Sequence, residues 1–293
     1  MNLKNDMTLE SNPNRFTGSA NVMFLDLLGS GFSFASDPND LPTDAKGYGI
    51  HLVSALNTFA KESVLGQSKV VVIAGESTFI RSLPGLNDIA NLSGVIHLSA
   101  WPEVYAIGRY YGIAGVELKI YTESERIAID STFTTCYNNI RASKFLEAHQ
   151  CVDAIYNFVE SRTKNSNLFD TRLQSNLTEF LPMIQYYFSQ SSVVSNWKAP
   201  TTKMFESQSA YIFNKTYVDM TKNYTSSITQ FFRDSYSVRH WFVQGRYDYI
   251  AYYKGLRNWM ENELNFVERD AFRKAALEVK FILFRILLSM ERL

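Results

Sequence analysis

Four short apolar runs, each closed by turn-forming residues, recur along this chain with helical stretches between them. NVMFLDLL (21–28) runs into Gly29-Ser30-Gly31, and KVVVIA (69–74) meets Gly75-Glu76-Ser77. LSGVIHL (92–98) and RHWFVQ (239–244) follow, the last leading to Gly245-Arg246-Tyr247-Asp248. Short apolar runs bounded by turn signals read as buried strands. Thr43 is placed to cap a helix over about 44–62, with Tyr48, Val53, Leu56 and Phe59 at roughly helical spacing. A further helix is expected after Ser77. Strands alternating with helices predict an α/β fold with a mostly parallel, helix-covered sheet.

The region of about 121–235 breaks this rhythm. It is helical in pattern, with scattered Asn, Ser and Thr, and RASKFLEAHQCVDAIYNFVESR (141–162) is clearly periodic. It reads as a helical cap inserted into one domain spanning 1–293, whose core is about 18–120 plus 236–293. Lys+Arg and Asp+Glu balance at 29 each, so no basic excess points to nucleic acid. Two cysteines, Cys136 and Cys151, make no disulfide framework, and spacing alone leaves open whether they pair. The start, MNLKNDMTLE, has no apolar core of a secretory signal. Sequons stand at Asn91, Asn176, Asn214 and Asn223, a pattern that chance also produces. The end, ALEVKFILFRILLSMERL, is very apolar but broken by Lys280 and Arg285. It falls short of the ~20 apolar residues of a bilayer span, so no transmembrane span is expected. A buried helix or strand, or an interfacial helix, fits it. Nothing in the sequence calls for a cofactor or a metal, and the compartment cannot be read.

Ligands of parallel sheets bind at the edge formed by the strands' C-terminal ends. Ser77 and Asp248 both fall just past such ends. Their order matches a nucleophile elbow followed by the acid of a Ser…Asp…His triad.

At this point the residues resemble the serine carboxypeptidases. The matching pieces are NVMFLDLLGSGFSFASDPNDLPTD, VVIAGES, NLSGVIHLSAWPEVYA, NLFDTR (167–172) and VQGRYDYIAYYKGLRNWMENELNF (243–266). They run in the family's order from about residue 8 to 272. The resemblance implies an α/β-hydrolase-like fold. It implies Ser77 as acylating nucleophile and Asp248 as the carboxylate that orients a catalytic imidazolium. Glu76 would bind the substrate's C-terminal carboxylate, and the partners of an active form would be peptide C-termini.

The departures bear on activity. Phe79 and Ile80 stand where the family's elbow is small, and a large ring there would push the following helix away or open the turn. No histidine follows Asp248; the four are His51, His97, His149 and His240. His51 and His149 lie on expected helices, and His240 opens its strand, far from the catalytic edge. His97, near a strand end beside the Ser77 strand, either reaches the crevice or is an ordinary packed residue. The family's Gly-rich oxyanion loop is absent upstream of residue 21, together with the strand that precedes it. One oxyanion donor is worth roughly 2.7–4 kcal/mol in the transition state, and a serine hydroxyl without a base is a weak nucleophile. The missing strand would leave 21–28 and 69–74 facing a gap, where each buried unpaired N–H or C=O costs about 1–3 kcal/mol. The two strands close on each other, a partner chain completes the sheet, or the sequence is a truncated copy. Three readings follow: a catalytically inactive member acting as a structural or binding module, a truncated active carboxypeptidase, or a subunit completed by a partner.

Overall fold

The computed structural model describes residues 2–3, 8–13, 15–63, 68–74, 78–163, 167–173, 177–199, 204–206 and 209–274. Among them two short strands, β1 (Asn2–Leu3) and β2 (Leu9–Glu10), pair antiparallel. The central sheet is parallel, in the order β3 (Val70–Ala74), β4 (Leu92–Leu98), β5 (Arg239–Val243). These three lie within a residue of the runs read from sequence. β4 is central and its middle four residues are buried, as expected of a strand covered on both faces.

The expected strand at 21–28 does not form. Residues 21–27 are irregular, with Phe24 85% exposed and Met23 and Leu25 also turned to solvent. An apolar run is a strand only if another strand meets its backbone, and among the described residues none does. The run and the β3 edge have not closed on each other. Val22, Met23 and Leu25 instead face Val70–Ile73 across a cleft of about 700 Å³ floored by Leu52, Leu56 and Phe59.

Helix α1 (Ala45–Glu62) starts one residue later than read, because Asp44, not Thr43, caps it: the Asp44 carboxylate accepts from Gly47 N–H at 2.8 Å. Its Tyr48, Gly49, Leu52 and Val53 are buried at helical spacing. The helix expected after Ser77 is a 3₁₀ helix, Thr78–Asp88. The reason is visible in the sequence: Ile80, Leu83 and Leu86 recur every three residues, which stacks them on one face at three residues per turn. The two helices cross closely. A Cβ on Gly49 would meet the Ser82 carbonyl oxygen at 2.5 Å, and one on Gly85 would meet the Gly49 backbone at 3.0 Å.

After β4 come α2 (Val104–Gly108) and α3 (Tyr111–Glu117). The segment between them and β5 carries α4 (Glu123–Arg141), α5 (Phe145–Thr163), α6 (Leu177–Ser189), α7 (Ser191–Asn196), α8 (Ala210–Thr216) and α9 (Thr225–Asp234). The periodic segment read at 141–162 is α5, and α4 ends just before it. Thr122 and Glu125 form a capping box that starts α4. Cys136 on α4 and Cys151 on α5 form a disulfide, which settles the pairing left open by spacing. Helices α10 (Tyr253–Asn262) and α11 (Arg269–Lys274) follow β5. One core cluster joins Val95 of β4 with Leu83, Trp101, Tyr111, Ile155, Phe231 and Trp259. Among the described residues no helix is long and apolar enough to cross a membrane. The apolar terminal stretch after Lys274 lies outside the described residues.

Candidate active site

The edge that should carry chemistry is built from the loops after β4 and β5. Ser99 N–H donates to the Val243 carbonyl at 2.9 Å. Gln244 then ties the two loops together: its Oε1 accepts from Ala100 N–H at 2.6 Å, and its Nε2 donates to the carbonyls of Ala100 and Ala251. The Gly245–Asp248 turn is further held by the NLFDTR segment. Thr171 N–H donates to the Tyr247 carbonyl at 3.0 Å, Tyr249 N–H donates to the Leu168 carbonyl at 2.9 Å, and the Arg172 guanidinium lies over the Tyr247 ring. Two of the sequence motifs, far apart in the chain, thus form one scaffold around Asp248.

Asp248 is 2% exposed. Its Oδ1 accepts from Ala251 N–H at 2.8 Å, so the carboxylate closes its own turn. Tyr249, the next residue, is buried and stacked on Tyr111. The other two residues of the candidate site, Glu76 and Ser77, lie outside the described residues. The chain on either side of them is placed: β3 ends at Ala74, with Ala74 in register with His97, and the 3₁₀ helix starts at Thr78.

None of the four imidazoles is bonded to Asp248. His97 Nε2 and His240 Nδ1 are 3.1 Å apart, and their rings stack at 5.4 Å between centroids. His97 also stacks on Phe242 at 4.4 Å, and His240 meets Phe232 at 4.4 Å with the rings tilted by 45°. The outer nitrogens, His97 Nδ1 and His240 Nε2, are buried with no hydrogen-bond partner among the described residues. The ring that sequence reasoning allowed to reach the crevice is therefore committed to an interior pair. Burial pushes His97 down to about 3, with the neighbouring His240 adding to the shift, and burial pushes His240 down to about 4. Both are neutral near pH 7 and neither is tuned as a general base. His149 on α5 faces Asp153 one turn on, and His51 is exposed on α1.

Beside the elbow, buried charge does structural work that sequence reading missed. Arg81 is 1% exposed. Its guanidinium donates to the carbonyls of Pro102, Asp219 and Met220, and it lies over Trp101. Desolvation lowers its pKa to about 10, partly offset by Asp219, so it stays charged at neutral pH. Asp219 also accepts from Ala45 N–H at the start of α1 and from the Tyr224 hydroxyl. Glu103 is 3% exposed; burial, followed by the nearby Glu263, raises its pKa to about 7. Arg109 pairs with Glu263 next to it. The available signal was Arg81 directly after Ile80 in an otherwise apolar stretch, where a buried cation survives only with several acceptors. Phe79, the large residue at the elbow, is half-buried and borders both the 700 Å³ cleft and a pocket of about 250 Å³ shared by Leu27, Tyr48, Ile212 and Met220. Among the described residues no three or more His, Cys, Asp or Glu side chains cluster as a metal site would need.

Comparison with known proteins agrees with this architecture. The family model described as serine carboxypeptidase matches residues 1–78 and 110–282, so the chain belongs to the serine carboxypeptidase family. The first matched stretch ends one residue before Phe79, at the start of the 3₁₀ helix. The match resumes after β4, leaving out the NLSGVIHLSAWPEVYA piece. A curated relative, serine carboxypeptidase-like 47 of Arabidopsis thaliana, is 22% identical over 299 residues, covering 93% of this chain and 57% of that protein. Among solved structures, Kex1(delta)p, a prohormone-processing carboxypeptidase from Saccharomyces cerevisiae, superposes with a TM-score of 0.63. It is 17% identical, over 81% of this chain and 58% of that chain, and supports an α/β-hydrolase fold. This chain therefore spans well under two thirds of the length of either.

Proposed function

We propose that this chain, in the form given, is a non-hydrolytic member of its family that acts as a structural or binding module. The observation that carries the reading is the histidine inventory. Serine hydrolysis of a peptide needs a base to take the hydroxyl proton and an acid that orients that base. Here Asp248 is buried and bonded to its own turn, while His97 and His240 are bonded to each other. Ser77 and Glu76 keep the family's residue types, but the imidazole that would link Ser77 to Asp248 has no candidate among the four histidines. Residues 1–20 hold no Gly-rich loop of the kind that supplies oxyanion donors in the family, and such donors act on the same step. A fluorophosphonate probe, which reports an activated serine, tests this directly. The expected result is no labelling of the folded chain. Labelling that is lost in Ser77→Ala would overturn the reading.

A second reading is favoured by one observation: the chain covers 57% of its curated relative, and Glu76, Ser77 and Asp248 all survive. On that reading it is part of an active carboxypeptidase that releases C-terminal amino acids from peptides. Full-length transcripts that add an N-G-G-P-G loop upstream and a Gly-His downstream would support it; stop codons flanking this reading frame would exclude it.

A further inference from the structure

We propose that the pocket of about 250 Å³ beside the elbow binds a small neutral molecule, one ring in size, that carries a hydroxyl group. The 27–30 loop, the start of α1, the 3₁₀ helix, α8 and the short turn Asp219–Thr221 converge on it. Leu27, Leu28, Phe79, Ile212 and Met220 give it apolar walls. A few polar groups interrupt them, which is the make-up of a small-molecule site. An apolar cavity of about 150 Å³ holds benzene, so this volume takes a ring with a short substituent. Asp248 does not line it.

The polar lining fixes the ligand's chemistry. Its charges are already paired with each other. Arg81 donates to three carbonyls and lies 3.9 Å from Asp219 Oδ2. That oxygen also accepts from Ala45 N–H at 3.0 Å, while Oδ1 accepts from the Tyr224 hydroxyl and faces Lys222 at 3.4 Å. A charged ligand would be desolvated beside a pair that neutralises itself, with no counter-charge of its own. The hydroxyls of Ser30, Ser82 and Thr216 donate to the carbonyls of Leu27, Ala45 and Ile212 at 2.8, 2.8 and 2.9 Å. A hydroxyl has one proton and two lone pairs, so each of these has acceptor capacity to offer. Tyr48 is the converse. It is 9% exposed, and its hydroxyl is buried with no partner among the described residues, so its proton is uncommitted. Buried polar groups are normally paired, and an orphan on a cavity wall points to a missing partner. An alcohol or phenol answers both needs. Its oxygen accepts from Tyr48, and its proton goes to a serine or threonine hydroxyl.

The inference gives the binding-module reading a ligand, but binding here does not require an unreactive Ser77. Fluorophosphonate labelling and pocket binding are read separately, so either can fail without the other. The test is an NMR titration of the full chain with benzyl alcohol, beside toluene, benzoate and benzylammonium as probes of the hydroxyl and of charge. Saturable binding of benzyl alcohol is expected, with toluene about fivefold weaker and neither ion bound. Tyr48→Phe keeps the ring and removes the proton. It should weaken benzyl alcohol about five- to tenfold and leave toluene unchanged. It should not lower the melting temperature, because the hydroxyl it removes has no partner. Thr216→Phe fills the pocket from α8 and should abolish binding of both probes. No saturable binding by the wild type, or undiminished binding by a folded Thr216→Phe variant, overturns the proposal. Benzoate or benzylammonium binding as tightly as benzyl alcohol overturns the neutral class, and an unchanged affinity in Tyr48→Phe overturns the role of its proton.

Discussion

Acidification should unlock the fold through the His97–His240 pair. Both rings are neutral in the folded state, held near 3 and 4 by burial, against 6.5 for an unrestrained imidazole. The sign follows: below pH 6.5 the unfolded chain binds protons that the folded chain refuses, so stability falls as pH drops through that value toward 4 and 3. Between pH 7 and pH 5 each ring contributes a loss of about 2 kcal/mol, and the pair about 4 kcal/mol, a large share of a typical domain's stability. Carboxylates also titrate in acid, so the assay must isolate the pair. Denaturant melts of the wild type and of His97→Leu/His240→Leu at pH 7 and pH 5 do this, because all other groups cancel in the difference. The double variant should lose markedly less stability on going to pH 5 than the wild type. Equal acid losses in the two proteins would show that the rings are not held neutral, and would refute the reasoning.

Other expectations follow from the same geometry. Reducing the Cys136–Cys151 bond, which closes a loop of 15 residues, should lower stability by roughly 3 kcal/mol in a denaturant melt with and without reductant. Arg81→Met leaves the buried carbonyls of Pro102, Asp219 and Met220 without their donor and Asp219 with Lys222 as its one remaining cation among the described residues, and should cost about 3–5 kcal/mol by thermal unfolding. Glu103, raised to about 7 from 4.5, penalises folding once it ionises, so stability is lost as pH rises from 4.5 through 7. Glu103→Gln should flatten the loss between pH 5 and 8, a difference of about 2 kcal/mol; an unchanged pH slope would place the proton elsewhere.

Much of the sheet was legible because β3, β4 and β5 carry their signal locally: short, β-branched, turn-bounded runs. Residues 21–28 carry the same signal and are not a strand, because a strand is decided by its partner and no window of sequence contains that. The segment after Ser77 was legible in part. Its apolar residues mark a helix, and only their period of three, at Ile80, Leu83 and Leu86, distinguishes 3₁₀ from α. The candidate site divides the same way. The Gly245–Asp248 turn is marked locally in the sequence, but the tie of Tyr247 and Tyr249 to NLFDTR is a long-range contact that no local signal carries. The meeting of His97 with His240 depends on β4–β5 register, which places Val95 opposite His240 and His97 opposite Phe242. Register is set by the whole sheet and is invisible in either strand alone.

The central claim is that Ser77 lacks the imidazole needed to make it a nucleophile. The direct measurement is release of C-terminal amino acids from a peptide by the purified chain, beside Ser77→Ala. The account predicts the same background rate from both proteins. Release by the wild type that disappears in Ser77→Ala would contradict it.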